Sequence, residues 1–493
     1  MSSSYDPPSS LEICLREALL LIKPLHNDEA TRFLIINEFK TVVNSVENLR
    51  GARVEPFGSF VSKLYSKWGD LDIFIEMPGD SPICSTGKKR KQIMLRAIKT
   101  ALQTRGIARR VRYVPNARVP LLTFESTHGG ISCDISVNNQ LGLMKSRFLF
   151  WISEIDERFH NMVLLVKEWA KSQNINNPKL GTLNSYSLCL MIVFHFQTCE
   201  PAILPPLKEF YTGDIVDDLT GMRGVAERNI EDIFSGNIRK FRTRSNRNPN
   251  RCSLSELFVS FFQKFSRIKG MALRHAICPY TGKWEPIMSN YRWMAKSYPL
   301  LIEDPFEQPE NTARSVGQND LTRISEVIVE TLSKLSKGRH EDQRSVVTTL
   351  VRPQLRPQFF ARTQGNLRET SGGIRPHVQV SHTVNAMRSS AHQAHTVGAP
   401  NGLPQRQQSF RNVHPIQSKF HRIQLGSRQY SPSTISSAEG SSSSEMSGTQ
   451  NHADQLGGYP DHNIYSERSG RRAVDGRGDG RGDGIRWRPK HYA

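Results

Sequence analysis

This 493-residue chain lacks a long hydrophobic run, a paired cysteine motif and an acidic excess, and each absence removes a class of function. The longest apolar stretch, about Leu188–Phe196, is interrupted by His195. A membrane span needs roughly 20 apolar residues, so no membrane partner is expected. Seven cysteines, at positions 14, 84, 133, 189, 199, 252 and 278, are scattered with no C-x-x-C pair. No zinc knuckle is visible, and the pattern fits reduced thiols in an intracellular protein. The opening Met1-Ser2-Ser3-Ser4-Tyr5 has neither a basic n-region nor an apolar h-region, so no signal peptide is expected. Hydrophobic residues make up only 37% and mean hydropathy is −0.48. Part of such a chain cannot offset the entropy of ordering.

What the chain has in excess is positive charge: 66 Lys+Arg against 46 Asp+Glu, a net of +20. With membranes set aside, this favours a nucleic acid partner. The charge is shared along the chain. Residues 341–493 hold 20 Lys+Arg, two of them lysine, against 11 Asp+Glu, which leaves +11 on residues 1–340. That last stretch is rich in Ser, Gln, Gly and Pro and ends in Arg-Gly-Asp repeats. It has no periodicity, so disorder is expected.

Periodicity organises the rest. Helices are expected over Leu11–Ile22, ended by Pro24, and over Asp28–Glu47 with Asn27 as N-cap. Strands are expected over 53–57, Asp70–Met77, 111–113, 121–124 and Ile131–Val137, with a helix over Lys91–Thr104. From Asp156 the pattern turns helical: Phe159, Val163, Val166 and Ala170 share a face, and Tyr186–Thr198, Ser255–Phe265 and Asn290–Lys296 follow. The fold class is α+β, a mixed sheet with flanking helices and then a mostly helical domain. The expected division is N-terminal helices packing on the core (1–50), a sheet domain (51–145), a helical domain (146–315), a helical linker (316–340) and a disordered tail (341–493).

Asp70 and Asp72 stand two apart on a strand, so both carboxylates project from one face. Asp134 occupies the polar side of another strand, and pairing of the two would assemble three carboxylates. Such a cluster repels itself, and divalent cations relieve it. Mg²⁺ prefers hard oxygen ligands and keeps positions for water or phosphate. Two such ions about 3.5–4 Å apart activate an attacking hydroxyl and stabilise departing pyrophosphate. Gly58-Ser59 lies 11 residues upstream of Gly69-Asp70. Glycine allows close approach of backbone to phosphate, and Ser59 can donate from its hydroxyl and N–H. Alone, a Gly-Ser is usually a plain turn and an Asp-x-Asp a solvated face. Together they point to nucleotidyl transfer.

The motifs Phe57-Gly58-Ser59, Gly69-Asp70-Leu71-Asp72, Ala117-Arg118-Val119-Pro120, Asp134-Ile135-Ser136-Val137-Asn138-Asn139 and Glu303-Asp304-Pro305-Phe306 resemble the non-canonical poly(A) polymerase and terminal uridylyltransferase family. This family belongs to the DNA polymerase β-like nucleotidyltransferases. The resemblance covers roughly residues 10–315, and Glu303–Asn311 looks like a plant subgroup that uridylates small RNAs. It implies a nucleotidyltransferase palm, a poly(A)-polymerase-associated helical domain and a nucleotide site between them. Asp70, Asp72 and Asp134 then become catalytic ligands of two Mg²⁺, with Mn²⁺ as a substitute. Gly58, Ser59, Lys167, Lys171 and Ser185 would bind phosphates, Tyr186 would stack on the base, and Asn139 would contact the ribose 2′-hydroxyl and uracil O2. Lys167 and Lys171 are also i and i+4, and so share a helix face.

The chain departs from many family uridylyltransferases in carrying Glu310 where they place histidine. A carboxylate accepts from uracil N3–H but would face a lone pair on adenine N1, a mismatch of about 1–3 kcal/mol. The expected function is template-independent addition of UMP from UTP to RNA 3′ ends, on small RNAs or cleavage fragments, promoting their turnover. The alternatives are a poly(A) polymerase using ATP, or an inactive RNA-binding adaptor. The tail is expected to contact RNA or protein partners in small-RNA effector complexes. Lys88-Lys89-Arg90-Lys91 reads either as a nuclear import signal or as a solvated or RNA-backbone patch. The expected location is the cytoplasm, with the nucleus as a second compartment.

Overall fold

Alternation of side chains along five short strands builds the sheet that carries the site. A computed structural model of the chain describes residues 9–77, 87–117, 119–219, 223–244, 248–295, 297–337 and 343–362, all within the unit Met1–His382. Strands β1 (Arg53–Phe57), β2 (Leu71–Glu76), β3 (Ala108–Val114), β4 (Leu121–Ser126) and β5 (Ser132–Val137) lie in the order β1-β2-β5-β4-β3. The β2–β5 pair is parallel and the other pairs are antiparallel. This is the mixed sheet expected from the sequence.

One face is apolar throughout. Leu71, Ile73 and Ile75 on β2, with Cys133, Ile135 and Val137 on β5, are fully buried. Two helices supply the matching stripes: α2 (His26–Ser45) through Ile35, Ile36, Phe39, Val42 and Val43, and α4 (Lys88–Arg105) through Met94, Leu95, Ile98 and Leu102. The opposite face of β2 carries Asp72, Phe74 and Glu76, and only part of it is open. The start of helix α5 (Gln140–Ser153) meets it at the end of β2. Phe74 is buried edge-to-face against Phe57, and Glu76 accepts from Gln140 at 2.5 Å.

A second core is helical. It gathers α1 (Ser10–Ile22), α5, α6 (Glu157–Ser172), α7 (Ser185–Thr198), α9 (Arg223–Arg242), α10 (Leu254–Phe265), α11 (Ile268–Ala272), α13 (Gln318–Lys337) and α14 (Gln343–Leu350). Short helices α3 (Gly58–Val61), α8 (Ile215–Asp218) and α12 (Tyr291–Met294) and a hairpin of β6 (His275–Cys278) with β7 (Lys283–Pro286) complete the described elements. The N-terminal helices divide between the two cores: α1 buries Leu15, Ala18 and Ile22 in the helical one, while α2 packs under the sheet.

Several expectations need correction. The N-cap of α2 is Leu25 rather than Asn27, because the Asp28 carboxylate accepts from the Leu25 N–H at 2.6 Å and satisfies that end. The described part of the expected linker, residues 316–337, is not a linker. The stripe Leu321, Ile324, Ile328 and Leu335 is buried, and Trp169 on α6 donates to Thr331 at 2.9 Å. The tail does not begin at 341 either. Val346, Val347, Leu350, Val351, Leu355 and Phe359 are buried in the helical core, so structure continues to 362. Their near-helical spacing is a usable apolar stripe inside a segment of otherwise polar composition. The remainder of the expected tail, 363–493, lies outside the described residues. Among the described residues no helix is long and apolar enough to cross a membrane.

Candidate active site

The parallel β2–β5 pair sets Asp72 directly beside Asp134 in register, with Thr123 of β4 next across the sheet. Asp70 precedes β2 by one residue and is exposed, while Asp72 and Asp134 are half-buried. The structure therefore brings the three sequence-predicted carboxylates to one sheet face. Their proximity is written in their electrostatics. Burial, then Asp134 and Asp70, push the Asp72 carboxyl up to about 7, against the pull of Lys167 and a hydrogen bond from the Ser59 N–H. Asp134 is also raised, by burial and then Asp70, with Lys179 and Arg112 opposing.

Gly58 and Ser59 open α3 immediately after β1. Gly58 has φ +67°, and a Cβ there would lie 2.8 Å from Asp72 Cγ. Its N–H donates to Ser146 Oγ at 2.7 Å. The turn therefore packs against Asp72 as well as offering backbone to a phosphate. A residue that sequence reading missed holds the other side. Arg32 on α2 is fully buried and donates to the carbonyls of Lys67 (3.1 Å) and Gly69 (2.7 Å), with a further bond to Asp28 O. It fixes the backbone that leads into Asp70. A lone arginine in an amphipathic helix carries no sequence signal for that role.

The helical domain supplies the cations. Lys167 on α6 donates to Leu64 O at 2.8 Å. Burial lowers its pKa, while Asp72 and Asp70 act in the opposite sense. Lys171, one turn on, is lowered by burial and then by Lys167 and Arg352. Ser185 begins α7 and donates to Asn176 at 3.2 Å. Asn139 caps α5, its side-chain oxygen accepting from the Gly142 N–H at 3.2 Å.

Tyr186 donates to Asp304 at 3.1 Å. Burial first, then Asp304, raises its pKa well above the usual tyrosine value. Lys145 Nζ lies over the Tyr186 ring and bridges Asp304 (2.5 Å) and Glu307 (2.7 Å). Glu310, the carboxylate expected at the base, pairs with Arg314 at 3.3 Å. Asp304 and Glu307 are the acids gathered around the tyrosine. Lys145 lies about 160 residues from them, so this cluster was not visible as a spacing.

A divalent cation fits this donor set. Asp70, Asp72 and Asp134 are hard oxygen donors, and burial followed by repulsion from neighbouring carboxylates raises the pKa of Asp72 and of Asp134, a cost that a cation relieves. Among the described residues no three His, Cys, Asp or Glu side chains already close into a metal cage.

Residues 12–154 match the family described as "Poly(A) RNA polymerase, mitochondrial-like, central palm domain". The chain is 49% identical over 381 residues to Protein HESO1 of Arabidopsis thaliana, covering 75% of this chain and 74% of that one. It is 29% identical over 324 residues to terminal uridylyltransferase cid1 of Schizosaccharomyces pombe, covering 58% and 72%. The fold is similar to a crystal structure of mtPAP in complex with UTP, with a TM-score of 0.56 at 22% identity over 70% of this chain and 73% of that one. Sequence, site and fold agree: the chain belongs to the terminal uridylyltransferase and non-canonical poly(A) RNA polymerase family of nucleotidyltransferases.

Proposed function

We propose that the chain adds UMP from UTP to the 3′-hydroxyl of RNA, acting on small RNAs or RNA fragments. The observation that carries this reading is the in-register pair Asp72–Asp134 with Asp70 beside it, facing the lysines of α6. Resemblance to cid1, a terminal uridylyltransferase by name, supports the choice of UTP.

Asp70, Asp72 and Asp134 would hold Mg²⁺. When bound, the ions lower the pKa of the attacking hydroxyl and offset charge on the phosphates. Lys167 and Lys171 meet the triphosphate from α6, and their depressed pKa values reflect a partly desolvated site in which a polyanion is welcome. Tyr186 offers a ring face to the base, which gives affinity without choice. Choice comes from the acids beside it. Lys145 holds Asp304 and Glu307 in place as acceptors, able to receive uracil N3–H and mismatched to adenine N1. With ATP these acids keep Lys145 but forfeit the N3–H bond, a loss of about 1.5–3 kcal/mol for a carboxylate acceptor, roughly tenfold to a hundredfold. The basic surface and tail would hold the RNA body.

The test is a primer-extension assay with each of the four nucleotides on one RNA. UTP should exceed ATP in kcat/KM by at least about tenfold. Adenosine tails of equal efficiency would make this a poly(A) polymerase, and absence of any tail would make it an adaptor.

A further inference from the structure

The segment 343–362 lies past the motifs that identify the family, yet it returns to the active site. It is stitched to the end of α6, where Ser172 and Gln173 both donate to Thr349 O at 2.7 Å. Just beyond α14, Arg352 forms a two-point ion pair with Glu168: Nε to Oε1 at 2.9 Å and Nη2 to Oε2 at 3.0 Å. Its backbone N–H adds a bond to Oε1 at 3.2 Å. Glu168 is 4% exposed and sits on α6 between Lys167 and Lys171 in sequence.

The face of the same guanidinium lies 5.3 Å from the ring centre of Trp68. Trp68 immediately precedes Gly69-Asp70. Arginine is suited to this place because its edge donates two parallel hydrogen bonds while its face stacks on an aromatic ring. An ammonium can do one or the other. The loop leading to Asp70 is thus held at two points. Arg32 grips its backbone carbonyls from α2, and Arg352 grips its indole from the C-terminal segment.

We propose that Arg352 is a positioning residue for nucleotidyl transfer. By pairing edge-on with Glu168 and face-on with Trp68, it fixes the Asp70 loop relative to the lysines of α6, and it makes residues 343–362 part of the working site. This rests on the tailing activity proposed above.

The experiment measures steady-state tailing of an RNA primer with UTP by the full chain, by Trp68→Leu, by Arg352→Lys and by the double variant. Trp68 is 47% exposed, so Trp68→Leu should melt within about 2 °C of the unaltered chain. Lysine at 352 keeps one charge contact to Glu168. Each single variant should lose kcat about tenfold, with KM for UTP within twofold, because the carboxylate is misplaced while the nucleotide still binds. The double variant should fall no more than about twofold below the weaker single, since both remove one contact. Unchanged kcat in Trp68→Leu, or losses that multiply in the double variant, would overturn the proposal. An unaltered chain that fails to extend the primer would overturn the tailing activity and this role with it.

Discussion

Replacing Gly58 by alanine tests whether the turn after β1 serves the carboxylates. Gly58 holds φ +67°, a conformation that costs an L residue about 1–2 kcal/mol. The new Cβ would stand 2.8 Å from Asp72 Cγ, where ordinary contacts begin at 3.4 Å, and nearer still to Oδ2. The carboxylate must retreat by roughly 0.6 Å or more to restore contact distance, straining its hydrogen bond from the Ser59 N–H. A displacement near 1 Å at a reacting centre costs about 10²-fold. Gly58→Ala should therefore lose about 10²-fold in kcat/KM for UTP on an RNA primer, while its melting temperature falls by only about 2–8 °C. An activity within threefold of the unaltered chain would refute the reasoning, because it would mean that Asp72 can move without consequence.

Two further outcomes follow from the helical core and the tail. His195 is buried on α7 with Nε2 3.1 Å from Leu257 O, and burial, with Lys264 adding to it, pushes its pKa down to about 3. Between that value and the unfolded value of about 6.5 the unfolded chain binds the extra proton, so stability falls as pH falls through this window, by about 2 kcal/mol from pH 6.5 to 5. His195→Gln should flatten that part of the urea-unfolding profile, and a slope equal to that of the unaltered chain would contradict the assignment. Deleting 363–493 removes 16 Lys+Arg and 9 Asp+Glu but keeps the Arg352 clamp. RNA KM should rise several-fold and kcat at saturating RNA should stay within about twofold; a collapse in turnover would place catalytic function in the removed residues.

The sequence made the palm legible because β5 alternates strictly and β2 keeps Leu71, Ile73 and Ile75 on one face, and because three carboxylates at those positions have few other uses. It concealed α5, whose sequence Gln140–Ser153 is apolar on most of its circumference and so has little amphipathic period. It left α9 unread, although Ala226, Ile230, Phe234, Ile238 and Phe241 recur at helical spacing among its charges and are buried. The base-side acids illustrate a different limit. Asp304, Glu307 and Lys145 meet only after the chain has folded, whereas Glu310 is legible from its position in a motif and its pairing with Arg314 is an i, i+4 contact. Composition also misled at the tail, where a short apolar stripe at 346–359 outweighs its polar surroundings and docks on the core. Arg32 and Arg352, which brace the loop before Asp70, carry no local signature at all.

The most direct measurement is the four-nucleotide primer assay run on Asp134→Ala beside the unaltered chain, with RNA retention and melting temperature recorded for both. If Asp134 completes a three-carboxylate site with its register partner Asp72 and with Asp70, the unaltered chain extends the primer preferentially with UTP. The variant should then lose about 10³-fold or more while still folding and holding RNA. Tailing by Asp134→Ala within tenfold of the unaltered chain would contradict the account.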